Sequence, residues 1–214
     1  MPYTNNLVAL QKLFLPMMKI FDKKNLINAL VIGVFLVLIF VTAAKALVIR
    51  GLMEIGLFSP GVEEVKPSTG TSAVKDLSGI KFKDLSGRTI DLGDLKGKVV
   101  FLNFWATWCP PCLAEMPAVN KLYEQFKADK NVVFILVDAD SDLPKAQKYM
   151  DKKGYQLPVY AVASDIPETI FKGSLPTTLV FDKFGRVSYH EVGAANYASD
   201  KFIEFIKKLK ASNI

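Results

Sequence analysis

The chain has 214 residues, half of them hydrophobic, which allows one domain with appendages and a sizeable core. Its formal net charge of +6 is concentrated at the start, because the first fifty residues carry six lysines and arginines against one aspartate, whereas the other 164 carry 21 basic and 20 acidic residues. A nearly neutral main domain without a basic stripe of interleaved aromatics argues against a nucleic-acid partner.

An uncharged apolar segment of twenty residues occupies positions 25–44. That is about the length that crosses a bilayer as a helix. Four lysines precede the segment, at positions 12, 19, 23 and 24, and acidic residues follow it from Glu54 onwards. By the positive-inside tendency, the short N-terminus is predicted to be cytoplasmic and the main domain extracytoplasmic.

These patterns divide the chain into four predicted parts. They also predict that the protein crosses the cytoplasmic (inner) membrane once. The four parts are a cytoplasmic N-terminus (1–24), a transmembrane helix acting as an uncleaved signal anchor (25–49), a juxtamembrane linker (50–77) and a main domain (78–214). The small residues around Lys45 also resemble a signal-peptidase site, so a cleaved leader is the alternative. In both cases the main domain lies outside the cytoplasm.

The main domain alternates predicted strands and helices, which indicates an α/β domain with a mixed sheet covered on both faces. His190 falls in an alternating strand and is predicted to be a partly buried sheet residue without a role. The predicted elements, in chain order, are a hairpin around Ser86–Arg88, a buried strand (99–105), a helix after the cysteines, a buried strand (131–138), a helix (143–154), two strands joined by a turn (177–182 and 186–192), and an amphipathic helix capped by Ser199 or Asp200.

Only two cysteines occur, Cys109 and Cys112, both within "WATWCPPCLAEMP". Nothing remains for a structural disulfide framework. A zinc site usually takes four ligands, and the chain adds only His190, so no metal is predicted. A reduced, inert pair of core cysteines is the other structural alternative.

Several separately placed motifs resemble one family. A buried strand leads into "WATWCPPC", which opens a helix, and "SLPTT" precedes a later strand, as in the thioredoxin fold. "GKVVFLNFWATWCPPC", "CLAEMP" and "SLPTTLVFDKFGRV" resemble its TlpA/ResA-type branch of membrane-tethered, extracytoplasmic thiol–disulfide oxidoreductases. The match covers roughly residues 78 to 210. It implies a mixed central sheet flanked by helices, with an N-terminal β-hairpin extension.

Disulfide chemistry needs an accessible thiolate. Cys109 is predicted at the junction of strand and helix, where unpaired N–H groups and the positive end of the helix dipole favour negative charge. Cys112, one turn later, can attack a mixed disulfide at Cys109. Cys109 is therefore the predicted nucleophile and Cys112 the resolving thiol. Pro110 and Pro111 start the helix but remove two N–H donors, which favours a reducing couple over a strongly oxidising one.

Three further residues, Trp108, Asn103 and Glu115, are predicted to support the pair. Trp105, on the apolar strand, is assigned to the core, and Trp108 to an exposed substrate-binding position beside Cys109. Asn103 stands where thioredoxins usually carry a buried aspartate that serves the resolving cysteine, and an amide cannot take a proton. Glu115 resembles the active-site glutamate of the ResA type and is predicted to supply that role, although spacing alone favours an ordinary helix-surface glutamate.

Pro176 in "SLPTT" resembles the cis-proline that thioredoxin-fold proteins place opposite the cysteines. A cis bond there would turn the backbone of Leu175 towards the active site. An incoming peptide could then pair with Leu175 as an added strand.

The resemblance implies an enzyme that reduces disulfides in exported proteins, in cytochrome c maturation or copper-centre assembly, between which the sequence does not select. Its partners would be disulfide-containing extracytoplasmic proteins and a membrane-embedded thiol donor of electrons. No bound cofactor is predicted, since the Cys109–Cys112 dithiol itself carries the electrons.

Other functions use similar residues. An oxidase or isomerase differs only in potential and partner. A thiol peroxidase would have threonine three residues before the reactive cysteine, where this chain has Ala106. A non-catalytic module could bind Cu(I) or a partner through the two thiols, but Met116 fits the apolar helix face better than a copper site.

Overall fold

The computed structural model describes residues 23–40, 42–54 and 76–212, and the chain divides into two compact units, 1–44 and 45–214. Two helices come first, α1 (Lys23–Phe40) and α2 (Thr42–Glu54). No helix in these described ranges combines the length and apolarity needed to cross a membrane. The predicted single helix over 25–49 is therefore not confirmed. Most of the predicted N-terminus and linker lies outside the described residues.

The remaining described residues form a thioredoxin fold with one mixed sheet. In chain order, the elements are β1 (Lys81–Asp84), β2 (Thr89–Asp91), a 3-10 helix (Leu92–Leu95), β3 (Val99–Trp105), α3 (Pro110–Phe126), β4 (Val132–Asp138), α4 (Leu143–Lys153), β5 (Val159–Val162), β6 (Thr177–Phe181), β7 (Val187–Val192) and α5 (Asp200–Ala211).

The sheet has seven strands in the order β2-β1-β5-β4-β3-β6-β7. β3 lies near the centre, parallel to β4 and antiparallel to β6. All seven of its residues are buried, as its mostly apolar run predicts. Because β6 runs the opposite way, the end of β3 and the start of β6 meet at the same edge, where Phe104 pairs with Thr177.

Successive side chains of β3 point to opposite faces and build two cores. Val99, Phe101 and Trp105 join the cluster that contains the buried residues of α3, α4 and α5. Val100, Leu102 and Phe104 join a second cluster with the hairpin, the 3-10 helix and Ile170. Both faces are covered as predicted, but the buried hydrophobic residues of these three helices belong to the first cluster, with the exception of Ala114 on α3. Residue 103 therefore faces α3.

The β1–β2 hairpin confirms the turn predicted around Ser86–Arg88. Gly87 has φ of +82°, a left-handed conformation that glycine adopts without steric cost. The carboxylate of Asp84 accepts hydrogen bonds from the backbone N–H groups of Ser86 and Arg88. The predicted strands β6 and β7 are likewise confirmed as antiparallel partners.

Three details differ from the sequence-based expectations. β5 was not predicted, because its four residues become a strand only by pairing with β1 and β4. The short helix at Leu92–Leu95 has no counterpart among the predicted elements. His190 is exposed, not partly buried, because β7 buries its neighbour Tyr189 and turns the next side chain outwards.

Of the two predicted caps of α5, the observed one is Ser199, whose side chain accepts a hydrogen bond from the Phe202 N–H.

Candidate active site

The two cysteines lie where β3 gives way to α3. Cys109 is the N-cap of α3, with extended backbone angles, and its sulfur accepts a hydrogen bond from the Cys112 N–H at 3.3 Å. Its carbonyl accepts the Leu113 N–H at 3.0 Å. Pro110 and Pro111 occupy the first two helical positions, where a backbone N–H has no partner within the helix. The Cys112 N–H is thus the donor that reaches the outer sulfur.

Cys109 and Cys112 are joined in a disulfide, with their Cα atoms 5.3 Å apart. Cys109 is 3% exposed and Cys112 is fully buried. The outer sulfur is therefore the one that an incoming group reaches first. Cys112 has no exposed surface, so it can react only with a group that is already attached to Cys109.

Glu115 lies one turn after Cys112 on α3 and is completely buried. Its Oε1 accepts a hydrogen bond from Asn103 Nδ2 at 2.8 Å, and its Oε2 accepts the Ala195 N–H at 3.4 Å. Asn103 Nδ2 also donates to Thr178 Oγ1 at 2.9 Å. The ordinary helix-surface glutamate that spacing favours is thus wrong, because α3 presents this position to β3 and β6.

Burial raises the pKa of Glu115 to about 8, against the opposing hydrogen bonds from Asn103 and Ala195. The negative charge of Glu191 raises the pKa further. A carboxyl group with a pKa in this range can take up and release a proton near neutral pH. It also lies on the same helix face as the buried cysteine.

The two tryptophans take the predicted positions. Trp105 is fully buried, and its ring lies 5.6 Å from that of Tyr149. Trp108 is 55% exposed, and its indole N–H donates to Asp140 Oδ2 at 2.7 Å. Asp140 follows β4, the strand beside β3, and sequence reasoning missed it because no motif links the two residues. The hydrogen bond holds the Trp108 ring beside Cys109.

The Leu175–Pro176 peptide bond is cis, as predicted. Pro176 is buried and immediately precedes Thr177, which pairs with Phe104 at the cysteine edge of the sheet. Its carbonyl accepts the Gly193 N–H at 2.9 Å. Leu175 is half-buried and packs against the cluster that contains Cys109 and Cys112. The fold therefore brings the two predicted motifs to one edge.

Asn103 and Glu115 give a pH-dependent prediction. In Asn103→Asp, a second carboxyl group would stand at the 2.8 Å contact with Glu115, and two such groups share one proton. Near pH 4 both carboxyl groups are protonated and neutral, whereas at pH 7.5 the pair has lost one proton and carries a buried negative charge. We expect the free energy of unfolding to fall by roughly 2 kcal/mol between these pH values, relative to the wild type.

Urea unfolding at both pH values measures this effect. The matched control is Asn103→Asp combined with Glu115→Gln, in which only one carboxyl remains and the coupling should disappear. A loss of stability that is equal at both pH values would contradict the prediction.

Within the described ranges, no group of three or more His, Cys, Asp or Glu side chains is arranged to hold a metal ion.

Comparison with known proteins gives matches over the same part of the chain. The Redoxin family model matches residues 69–201. The thiol-disulfide oxidoreductase ResA of Bacillus thuringiensis (strain Al Hakam) is 39% identical over 127 residues, which cover 59% of this chain and 72% of that protein. ResA of Halalkalibacterium halodurans is 36% identical and covers 58% and 72% of the respective chains. A crystal structure of a thioredoxin-family thiol:disulfide interchange protein from Chlorobium tepidum TLS is 28% identical, covers 64% of this chain and 98% of its own, and has a TM-score of 0.50.

Proposed function

Because this chain belongs to the Redoxin family, and is a thioredoxin-like thiol–disulfide oxidoreductase of the TlpA/ResA type, we propose that it reduces disulfide bonds in exported proteins through Cys109 and Cys112. The observation that supports this most directly is the disulfide between these residues at the start of α3, in which Cys109 keeps a small exposed fraction (3%) and Cys112 is fully buried. That asymmetry gives the two thiols different roles.

In the reduced enzyme, Cys109 would act as the attacking thiolate. The hydrogen bond from the Cys112 N–H and the N-terminal end of α3 stabilise its negative charge. The thiolate attacks one sulfur of the substrate disulfide and forms a mixed disulfide, while the other substrate sulfur leaves with the electron pair and takes up a proton. Trp108 and the backbone of Leu175 would hold the substrate peptide over Cys109.

Cys112 would then complete the reaction. Its thiol gives a proton to the Glu115 carboxylate, and the resulting thiolate attacks the Cys109 sulfur. The bond from Cys109 to the substrate breaks, and the second substrate sulfur leaves with its electron pair. The substrate has gained two electrons, and the enzyme is left as the Cys109–Cys112 disulfide. Asn103 orients Glu115 for this step through its 2.8 Å hydrogen bond.

The direction of the reaction follows from how weakly the outer thiolate is stabilised. Pro110 and Pro111 have no N–H groups, so the Cys112 N–H at 3.3 Å provides the observed hydrogen bond to the outer sulfur. A moderately stabilised thiolate favours a reducing couple, since strongly oxidising couples have a highly stabilised reduced form. Equilibration with glutathione redox buffers would measure the potential, and a value near that of DsbA would contradict this direction.

We further propose that the uncharged segment 25–44 tethers the enzyme to the cytoplasmic membrane and leaves the catalytic domain on the outer side. The lysines that precede the segment support this orientation. Disulfides persist in that compartment, where a dedicated reductant has substrates. A membrane-embedded thiol protein would return electrons to Cys109 and Cys112 after each cycle. Cytochrome c maturation and copper-centre assembly are both compatible with this chemistry.

Trapping with Cys112→Ser tests the function. The variant can form the mixed disulfide at Cys109 but cannot resolve it, so we expect substrate proteins to accumulate on it as reducible covalent complexes. These complexes can be purified and identified by mass spectrometry. The matched control is Cys109→Ser combined with Cys112→Ser, which should trap nothing. Equal trapping by both variants, or complexes that contain only cytoplasmic proteins, would contradict the proposal.

A further inference from the structure

Two buried tyrosines lie behind Glu115, and the chemistry described above does not use them. Tyr197 is fully buried in the segment between β7 and α5, the segment whose Ala195 N–H donates to Glu115. Tyr189 is 2% exposed and lies on β7. Their rings meet edge to face, with centroids 6.3 Å apart. Both belong to the hydrophobic cluster that contains Cys109 and Cys112.

Burying the hydroxyl groups of these tyrosines costs free energy, and the packing of the rings does not require those hydroxyl groups. Within the described part of the chain, Tyr197 OH, Tyr189 OH and Asn103 Oδ1 are buried without a hydrogen-bond partner. Such a group is expensive to bury unless it is satisfied. Phenylalanine would fill the same apolar space without that cost. Internal water can satisfy polar groups of this kind and can join them into a chain.

The charges of two carboxyl groups, Glu115 and Glu191, affect the pKa of both hydroxyls. Burial raises the pKa of Tyr197 well above its usual value, and the charge of Glu115 adds to the rise. Burial likewise raises the pKa of Tyr189, with further contributions from Glu191 and Glu115.

The polar groups around Glu115 thus come from every element packed against it. Glu191 is half-buried, two residues beyond Tyr189 along the same face of β7. The set therefore extends from the buried carboxyl group to one at the surface. Its members are Cys112 on α3, Asn103 on β3, Thr178 on β6, Tyr189 and Glu191 on β7, and the Ala195 N–H and Tyr197 in the segment after β7.

We propose that Tyr197 and Tyr189 are positioning residues that, with internal water, pass the proton of Glu115 to solvent at Glu191. This inference rests on the proposed function, in which Glu115 takes the proton of Cys112. While a substrate is bound covalently to Cys109, it would cover the one cysteine of the pair that has any exposed surface. Glu115 and Cys112 are fully buried, so the proton needs a second route.

Protons balance along this route. Glu115 gives its proton to an adjacent water, the water gives one to the Tyr197 hydroxyl, and that hydroxyl gives its own onward through water and Tyr189 towards Glu191. Each hydroxyl ends with the proton count with which it began, and Glu115 is again a carboxylate. Phenols with a raised pKa suit this role, because they exchange protons without persisting as tyrosinate.

Tyr197→Phe, which keeps the ring and removes only the hydroxyl, tests the relay. Ellman's reagent, an aromatic disulfide, separates the two half-reactions: attack by Cys109 releases the first coloured thiolate, and resolution by Cys112 releases the second. We expect the first phase to be unchanged and the second to slow about tenfold, as for partial loss of an assisted proton transfer. The solvent deuterium isotope effect on the second phase should also increase, a change that a purely structural role would not produce.

Tyr160→Phe is the matched control, since Tyr160 is half-buried on β5 and packs against the other core. It should leave both phases unchanged. Tyr189→Phe should slow the second phase in the same direction as Tyr197→Phe and serves as the second variant if Tyr197→Phe fails to fold. An unchanged second phase in the folded tyrosine variants, or equal slowing in Tyr160→Phe, would overturn the relay. Loss of the first phase in the wild-type protein would instead overturn the proposed function.

Discussion

Cys109→Ser is expected to lower disulfide reduction by roughly a thousandfold or more, because it removes the attacking thiolate. A serine hydroxyl remains protonated near neutral pH and does not displace sulfur from a disulfide. The helix N-terminus and the Cys112 N–H, which stabilise a thiolate at this position, have no anion to act on in the variant. The rate of insulin reduction, followed as turbidity from the released chains, measures the loss.

Cys112→Ser is the matched control for this experiment. Both variants lack the Cys109–Cys112 disulfide and carry the same atomic substitution, so they share any loss of stability from the missing bond. They differ in the first half-reaction with Ellman's reagent. We expect Cys112→Ser to release one equivalent of coloured thiolate at a rate close to wild type, and Cys109→Ser to release none quickly. The reverse pattern would exchange the roles of nucleophile and resolving thiol.

The elements that carry the cysteines could be predicted because their determinants are local. The mostly apolar run of β3 specifies a central strand, and the two prolines after Cys109 specify a helix start. The cis Leu175–Pro176 bond was predictable only through the resemblance of "SLPTT" to a known motif. By contrast, β5 depends on pairing partners that are distant in sequence, and its four residues carry no sufficient pattern of their own.

The contacts inside the site could not be predicted from spacing. The hydrogen bond between Asn103 and Glu115 requires that residue 103 face α3 and that α3 turn residue 115 inwards, both of which depend on packing. The resemblance suggested a role for Glu115 but not this partner. Asp140, Thr178 and Tyr197 lie on three other segments, and only the fold brings them to the site. No local motif marks them.

Glu115→Gln is expected to change the pH dependence of stability more than any other single substitution in the buried site. The carboxyl has a pKa of about 8 in the folded, disulfide-bonded protein, against 4.5 as the ordinary value. Below pH 4.5 it is protonated in both native and unfolded chains. Between pH 4.5 and 8 the native state keeps a proton that the unfolded chain has released, so stability falls as pH rises. Above pH 8 both states are ionised.

Over that pH window, the difference in the pKa of Glu115 between the native and unfolded states lowers the free energy of unfolding by on the order of 5 kcal/mol. Each pKa unit corresponds to about 1.4 kcal/mol. Glutamine has the same shape and no charge, and its carbonyl can still accept from Asn103, so the variant should lose this slope. We therefore expect Glu115→Gln to be more stable than the wild type at pH 8.5, with most of that advantage gone at pH 5. Urea unfolding of both oxidised proteins across this range measures the difference.

The control is Glu168→Gln, because Glu168 is exposed at the surface of the protein. Its stability profile should run parallel to that of the wild type. Parallel profiles for Glu115→Gln as well would mean that Glu115 ionises at an ordinary pKa despite its burial. The same substitution should slow the second phase with Ellman's reagent and spare the first, because glutamine cannot accept the Cys112 proton. Stability gained at high pH and resolution lost together would show that the buried carboxyl is retained for its chemistry rather than for the fold.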